Sequence, residues 1–199
     1  ILITSDINRG FAGGCNLGIE RALKGQADFV FLLNNDAYFS RNVLTELLTL
    51  SLLNNKALVG PVVYDYQGKK KLFLGHRFPD LIFGVSTSSQ KLLRSKKMHG
   101  DSAYWSSAYI EGSALLLPRS FLQERIKASG FVLDESLFLY WEDFDLCFFG
   151  QSTQRSCLVL DTNGVLHKSS ASAGGTGNPI AYYYITRNRV VMAQRWLSG

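Results

Sequence analysis

The run Asp28-Phe29-Val30-Phe31-Leu32-Leu33, followed at once by Asn34-Asn35-Asp36, constrains this chain more than any other segment. Apolar residues without alternation suit a strand buried on both faces of a parallel sheet. The switch to three polar residues places amide and carboxylate groups at its carboxyl end, where open α/β sheets bind ligands. A lone Asp there can hold a hard divalent cation and leave room for substrate phosphates; an Asx-rich turn ahead of a helix is the structural alternative.

Other segments repeat the alternation. Ile1–Thr4 reads as a strand and Asn16–Lys24 as a short helix. A helix N-capped by Ser40 runs through Leu53, and Ala57–Val63 returns as a strand. Further strands are expected at Tyr109–Leu117 and Cys157–Leu160. A helix follows Pro118 and ends before Gly130, and a last helix starts near Pro179. Strands alternating with helices imply an α/β fold with a Rossmann-like, mostly parallel sheet and flanking helices. At 199 residues, 46% of them hydrophobic, the chain has enough apolar mass for one domain over residues 1–199.

Charge is unevenly spread. Between Gln67 and His99 eight basic residues face one acid, giving +7, while the rest of the chain, with 13 basic and 15 acidic residues, sits at −2. A basic excursion at about 64–105 therefore faces something anionic or serves as a solvated loop. It lacks an ordered aromatic platform, which argues against nucleic acid as a partner. Three cysteines (Cys15, Cys147, Cys157) cannot all pair and suit reduced thiols in a cytoplasmic setting.

Four more constellations carry candidate chemistry. Gly10, Gly13 and Gly14, with Asn8 and Asn16, lie between a strand and a helix and allow close backbone approach to a ligand. They match neither the dinucleotide fingerprint nor the P-loop. Glu142, Asp143 and Asp145 lie within four residues, beside Tyr140, Trp141 and Phe144; such surroundings raise a carboxylate toward a useful general base. His167 follows a strand and can add a ligand to a metal held by Asp36. Arg187, after three tyrosines, can clamp a phosphate.

The order of these pieces resembles family 2 glycosyltransferases with the GT-A fold, nearest to the bacterial rhamnosyltransferase-like branch. It runs through Asn8-x-Gly10-Phe11-Ala12-Gly13-Gly14-x-Asn16, Leu33-Asn34-Asn35-Asp36 and Gly112-Ser113-Ala114. It continues through Phe138-x-Tyr140-x-Glu142-Asp143-x-Asp145-Leu146-Cys147, His167 and Tyr183-x-x-Thr186-Arg187-Asn188. The resemblance implies inverting transfer of a sugar from a nucleotide diphosphate sugar to an acceptor hydroxyl, in cell-surface polysaccharide or glycan synthesis. It implies Asp143 as general base with Glu142 beside it, and Asp36 and His167 as ligands of Mg²⁺ or Mn²⁺. Asn34, Asn35, Gly13, Asn16 and Arg187 would bind the donor, and Gly112 and Trp141 the sugar or acceptor.

Two features depart from the family pattern. Asn34 stands where the family's D-x-D motif starts with an acid, which leaves fewer anionic ligands. The family's first strand–helix units precede Ile1, so the chain is expected to be incomplete at its N-terminus and a poor donor binder alone. A glycan or lipid-linked acceptor at the inner face of the cell membrane, with peripheral contact through the basic segment, fits the charge distribution. A non-catalytic sugar-nucleotide or glycan-binding module of the same fold is the alternative. A pyrophosphorylase would need a glycine-rich activating loop near its start.

Overall fold

A computed structural model describes residues 1–40, 42–75, 96–168 and 178–197. Five α-helices and eight strands are built from them: α1 (Gly10–Lys24), β1 (Phe29–Leu33), β2 (Ala37–Phe39), α2 (Val43–Leu53), β3 (Leu58–Asp65), β4 (Lys71–Phe73), β5 (Lys97–His99), β6 (Ser102–Ser106), β7 (Ala114–Pro118), α3 (Arg119–Ser129), α4 (Glu142–Ser152), β8 (Cys157–His167) and α5 (Pro179–Leu197). The strands form one sheet in the order β1-β7-β3-β8-β6-β5, with β2 added on β8 and β4 on β3.

The α/β architecture, a central sheet flanked by helices, is as expected, but the strand directions are not. Among the described residues β3–β8 is the parallel pair, and β1–β7, β3–β7, β6–β8, β5–β6, β2–β8 and β3–β4 are antiparallel. The sheet is mixed rather than mostly parallel. An apolar run reports burial and carries no information on the direction of its neighbour.

The core lies around β3, β7 and β8. In β3 every residue from Leu58 to Tyr64 is buried, and all five residues of β7 are buried too. α2 covers this sheet with Val43, Leu47 and Leu50, an i, i+4, i+7 stripe. Each such side chain contributes about 1.5–3 kcal/mol on burial. Gly60 is required by packing, since a Cβ there would fall 2.1 Å from Ile110 Cγ2.

A bulge decides where the sheet's polar end sits. Pro61 interrupts central β3, and pairing jumps from Pro61↔Leu160 to Val63↔Val165, which leaves residues 161–164 of β8 opposite Val62. Gly164 in that bulge admits the Ser40 turn, because a Cβ would lie 2.5 Å from Ser40 Oγ and 2.5 Å from Val43 Cγ2. Ser40 N donates to Gly164 O at 2.8 Å. The first half of β8 thus pairs with β6, and its second half turns to pair with β2 and carries His167.

Several expected boundaries move. Ile1–Thr4 forms no strand; it is exposed and bonded to no neighbour among the described residues. β1 lies at one edge of the described sheet and only Leu32 is fully buried, so burial on both faces is not what this strand shows. α1 begins at Gly10 rather than Asn16, after Asn8 Oδ1 accepts Gly10 N–H at 3.0 Å, so Gly13 and Gly14 are helical while Gly10, at φ 68°, is left-handed at the helix start. Asn42, not Ser40, is the N-cap of α2, and β7 starts only at Ala114 because Gly112 and Ser113 form a turn closed by Ala114 N–H to Glu111 O at 3.3 Å. β8 runs past Leu160 to His167. Pro118 and Gly130 bracket α3 as expected, with Gly130 left-handed at φ 80°.

The ends of the basic segment are built into the sheet. Phe73 of β4 and Trp105 of β6 are buried, and Trp105 Nε1 donates to Leu74 O at 2.8 Å. Lys71 pairs with Asp161 at 2.7 Å, and Lys96 lies over the Trp105 ring. Arg77, Lys91 and Arg94 lie outside the described residues, as do Ser169, Ser170, Ser172 and Gly174-Gly175.

Candidate active site

The polar end of the sheet gathers three of the expected residues directly. Beyond β1, Asn34 N donates to Ser113 O at 3.0 Å and Ala37 N to Asn34 O at 3.1 Å, a tight turn that leaves Asn35 exposed. β2 then pairs Ala37 with His167, and Lys168 N donates to Asp36 O at 3.1 Å. These bonds bring His167 Nε2 to 2.9 Å from Asp36 Oδ1 and 3.4 Å from Asn34 Nδ2. Residues 131 positions apart in the chain thus share one small polar site.

The second group reaches the same end through the turn before β7. Leu33 pairs with Ala114, so Gly112 and Ser113 abut the Asn34 turn. Gly112 N donates to Asp143 Oδ2 at 3.0 Å, and Phe144 N donates to Asp143 Oδ1 at 2.7 Å. Gly112 is held to glycine by closeness, since a Cβ would meet the Phe11 ring at 3.0 Å. The turn is the physical link between Asp36 and Asp143.

The acids of α4 divide by environment. Asp145 is buried but neutralised, by Arg125 and by Arg195 at 3.0 Å, and Trp196 Nε1 donates to it at 3.0 Å. Glu142 is buried with Oε2 unpartnered, and burial together with the Asp143 charge pushes it up to about 8. Asp143 is raised by burial too, but its two backbone N–H donors and the start of α4 favour its ionised form. Burial thus raises both acids, and the two backbone N–H donors oppose that rise at Asp143. Asp143 keeps part of its surface open while Glu142 faces the interior, which leaves Asp143 as the carboxylate for a ligand to meet.

Glu111 is a residue that the motifs did not single out. Burial and the Asp143 charge push it up to about 7, and Ser113 Oγ lies 3.5 Å from Oε2. Its position next to Gly112 was its only signal.

A strained loop leads into α4. Phe138, Tyr140 and Trp141 have φ of 65°, 69° and 75°, and Leu139 N donates to Leu137 O at 2.7 Å across a tight γ-turn. Asn188 of α5 holds it: the fully buried side-chain amide faces Leu137 O, Leu139 O and Tyr140 O at 2.9, 2.9 and 2.8 Å. Gly10 fits under the same loop, where a Cβ would lie 2.2 Å from Phe138 O.

A scan against family models matches glycosyl transferase family 2 over residues 1–125. The chain belongs to this family. Among solved structures, a family of similar folds includes GalNAc-T7 with UDP, GalNAc and Mn²⁺, at TM-score 0.61 and 13% identity over 83% of this chain and 31% of that one. At that identity the likeness shows the GT-A fold. This chain spans about a third of the neighbour's length. Comparison with curated proteins gives no match.

Other expected site residues of this family 2 domain lie in local structure. Asn16 clips the loop before the 3-10 turn Glu135–Leu137, with Nδ2 donating to Leu133 O at 2.8 Å and Oδ1 accepting from Leu133 N at 3.0 Å. Its hydrogen-bonding groups are thus engaged by the protein backbone. Gly13 packs against Arg9 and Glu135, so it serves a helix contact. Arg187 Nη2 donates to Ser136 O at 2.5 Å, and Trp141 Nε1 donates to Ile185 O at 3.0 Å. These two tie α5 to the strained loop next to Asp143.

The residues present fit a hard cation with few protein ligands. Among the described residues no group of three or more His, Cys, Asp or Glu side chains is gathered. Asp36 and His167 offer one carboxylate and one imidazole with Asn34 beside them, a set that needs substrate phosphate oxygens to complete it.

Proposed function

We propose that this chain carries the catalytic end of an inverting glycosyltransferase that moves a sugar from a nucleotide diphosphate sugar to an acceptor hydroxyl. The observation that carries the reading is the joint placement of Asp36, His167 and Asn34 with Asp143 across the Gly112–Ser113 turn. The family match supports the reaction class, and the UDP-bound neighbour supports a nucleotide-sugar donor.

In this reading Asp36 and His167 hold Mg²⁺ or Mn²⁺, which supplies electrostatic stabilisation of the diphosphate as leaving group. Asp143 accepts the proton of the acceptor hydroxyl as its oxygen bonds to the anomeric carbon and the carbon–phosphate oxygen bond breaks. The nucleoside diphosphate departs with that electron pair. One displacement inverts the anomeric centre and needs one base, which is worth about 10²–10⁴ in rate. Burial and the Asp143 charge disfavour ionisation of Glu142, and so a second negative charge in the site.

The biological setting we propose is synthesis of a cell-surface polysaccharide or glycan on a lipid-linked acceptor, at the cytoplasmic face of a membrane. The basic segment and the exposed Ile180, Tyr182 and Tyr183 of α5 support peripheral contact. No helix among the described residues is long and apolar enough to cross a membrane.

The test uses the full-length gene product with Asp36→Asn and Asp143→Asn. Asp143→Asn should keep nucleotide-sugar binding and lose transfer, whereas Asp36→Asn should weaken binding in the presence of Mn²⁺. Unchanged transfer by Asp143→Asn removes the base assignment.

A further inference from the structure

An exposed aromatic surface adjoins the Asp36–His167 site and has no part in the chemistry above. Tyr38 of β2 is 56% exposed and Tyr66, just past β3, is 53% exposed. Both strands pair with β8, where Leu166 is the partner of Tyr38 and of Tyr64, so the two tyrosines come together across it. Their rings meet edge to face, with centroids 5.5 Å apart. Lys168 Nζ lies 6.0 Å from the Tyr66 centroid, and Lys168 N is bonded to Asp36 O. Lys69 and Lys70 stand exposed in the turn that follows Tyr66. The acid of that turn, Asp65, folds back to accept the N–H groups of Lys69 and Lys70 at 2.7 and 3.0 Å.

Two rings with more than half of their surface in water add little to the core. Beside a polar site, such a surface is available for a ligand to stack on. A pyranose offers a flat C–H face that rests on a tyrosine ring, with hydroxyls at its rim for the phenol groups. A nucleobase can also stack, but the negative charge of a nucleotide donor lies in the diphosphate assigned to Asp36 and His167, which leaves Lys69 and Lys70 beside Tyr66 without an anion from the donor. A saccharide bearing a carboxylate or phosphate uses both features.

We propose that Tyr38, Tyr66 and Lys168 form an acceptor subsite for an anionic saccharide, whose rings stack on the tyrosines and whose charge meets Lys168. The proposal rests on the sugar-transfer reading for its role. It places the acceptor chain on the β2–β8–β3 side of Asp36, within one residue of the groups assigned to the diphosphate.

The test uses the full-length gene product, as wild type, Tyr38→Ala/Tyr66→Ala, Tyr38→Phe/Tyr66→Phe and Lys168→Met. Two readouts separate the proposals: release of nucleoside diphosphate by hydrolysis of UDP-, GDP- and dTDP-sugars with no acceptor present, and capture on an immobilised panel of neutral, uronate-bearing and phosphate-bearing oligosaccharides. The double alanine variant should lose about tenfold or more in saccharide affinity and keep nucleoside diphosphate release within about twofold. The phenylalanine pair should stay near wild type in stacking. Lys168→Met should lower affinity for the anionic sugars alone, with the uronate and phosphate arms telling which anion is preferred. Saccharide capture unaffected by the alanines overturns the subsite, as does wild-type protein that releases nucleoside diphosphate but captures no saccharide. Loss of nucleotide binding in the alanine variant would instead assign the rings to the base. Wild-type protein that neither releases nucleoside diphosphate nor captures a saccharide overturns the transfer reading along with the subsite.

Discussion

Replacing Asn188 with alanine isolates the part of the site that depends on strain. Its amide faces three carbonyl oxygens, that of Leu137 buried and those of Leu139 and Tyr140 partly so, but has only two N–H groups to share among them. Losing it leaves those carbonyls without that donor, at about 1–3 kcal/mol for each bond not replaced, so a loss of about 2–4 kcal/mol is expected. The loop has reason to relax, because its three left-handed, non-glycine residues each cost about 1–3 kcal/mol. Phe138, Tyr140 and Trp141 would move toward ordinary φ, and the start of α4 would shift with them. Chemical denaturation gives the stability change, and turnover against nucleotide-sugar binding gives the functional one. We expect a marked fall in kcat with donor affinity close to wild type, since Asn188 touches the loop before Asp143 and not the Asp36 turn. Asn188→Asp should be worse than alanine, because a carboxylate would face three carbonyl oxygens. A stability change below about 0.5 kcal/mol, together with unaltered turnover, would refute the claim that α5 holds the loop in place.

Three further outcomes are expected. Glu142 has a folded pKa raised to about 8 by burial, above its unfolded value, so stability should be greatest below the unfolded pKa and fall as pH rises through 8; Glu142→Gln should flatten that fall in denaturation midpoints measured from pH 5 to 9. Arg125→Met leaves buried Asp145 with Arg195 as its remaining ion partner and should cost on the order of 3–5 kcal/mol by denaturation, more than an exposed pair such as Lys24–Glu20. Chelation with EDTA should abolish transfer and Mn²⁺ should restore it, with His167→Ala needing more Mn²⁺ than wild type for half-recovery.

What could be read in the letters follows from which interactions are local. The β1 run and the polar triplet after it are contiguous, so the strand and the Asp36 turn were legible together. The acids at 142, 143 and 145 were equally visible, but their division of labour was not. Asp145 is neutralised by Arg125 and Arg195, which lie 20 and 50 positions away, whereas Glu142 forms no ion pair among the described residues and its Oε2 is unpartnered. Three carboxylates that seem to repel one another in sequence are thus one ion-paired, one buried with an unpartnered oxygen and one held by two backbone N–H groups. The backbone partners of Asn16 and Arg187 were hidden for the same reason, since polar groups that suit a ligand suit a backbone carbonyl just as well.

The bulge in β8 shows why the site needs the tertiary structure to exist. Without residues 161–164 opposite Val62, β8 would continue alongside β6 and carry His167 away from β2. A one-residue change of pairing also flips side chains to the other face of the sheet, so His167 would lose both Asp36 and Asn34. Gly164 permits this geometry because Ser40 Oγ and Val43 Cγ2 occupy the space a Cβ would need. Gly164→Val should therefore separate fold from site. Core burial in β3 and β7 is untouched, so the protein should fold with a loss of about 1–3 kcal/mol from overpacking. The Ser40 turn and β2 should be displaced, and Mn²⁺-dependent nucleotide-sugar binding should fall far more than Asp143-dependent steps measured at saturating donor. Equal losses in both would mean that the bulge serves stability alone.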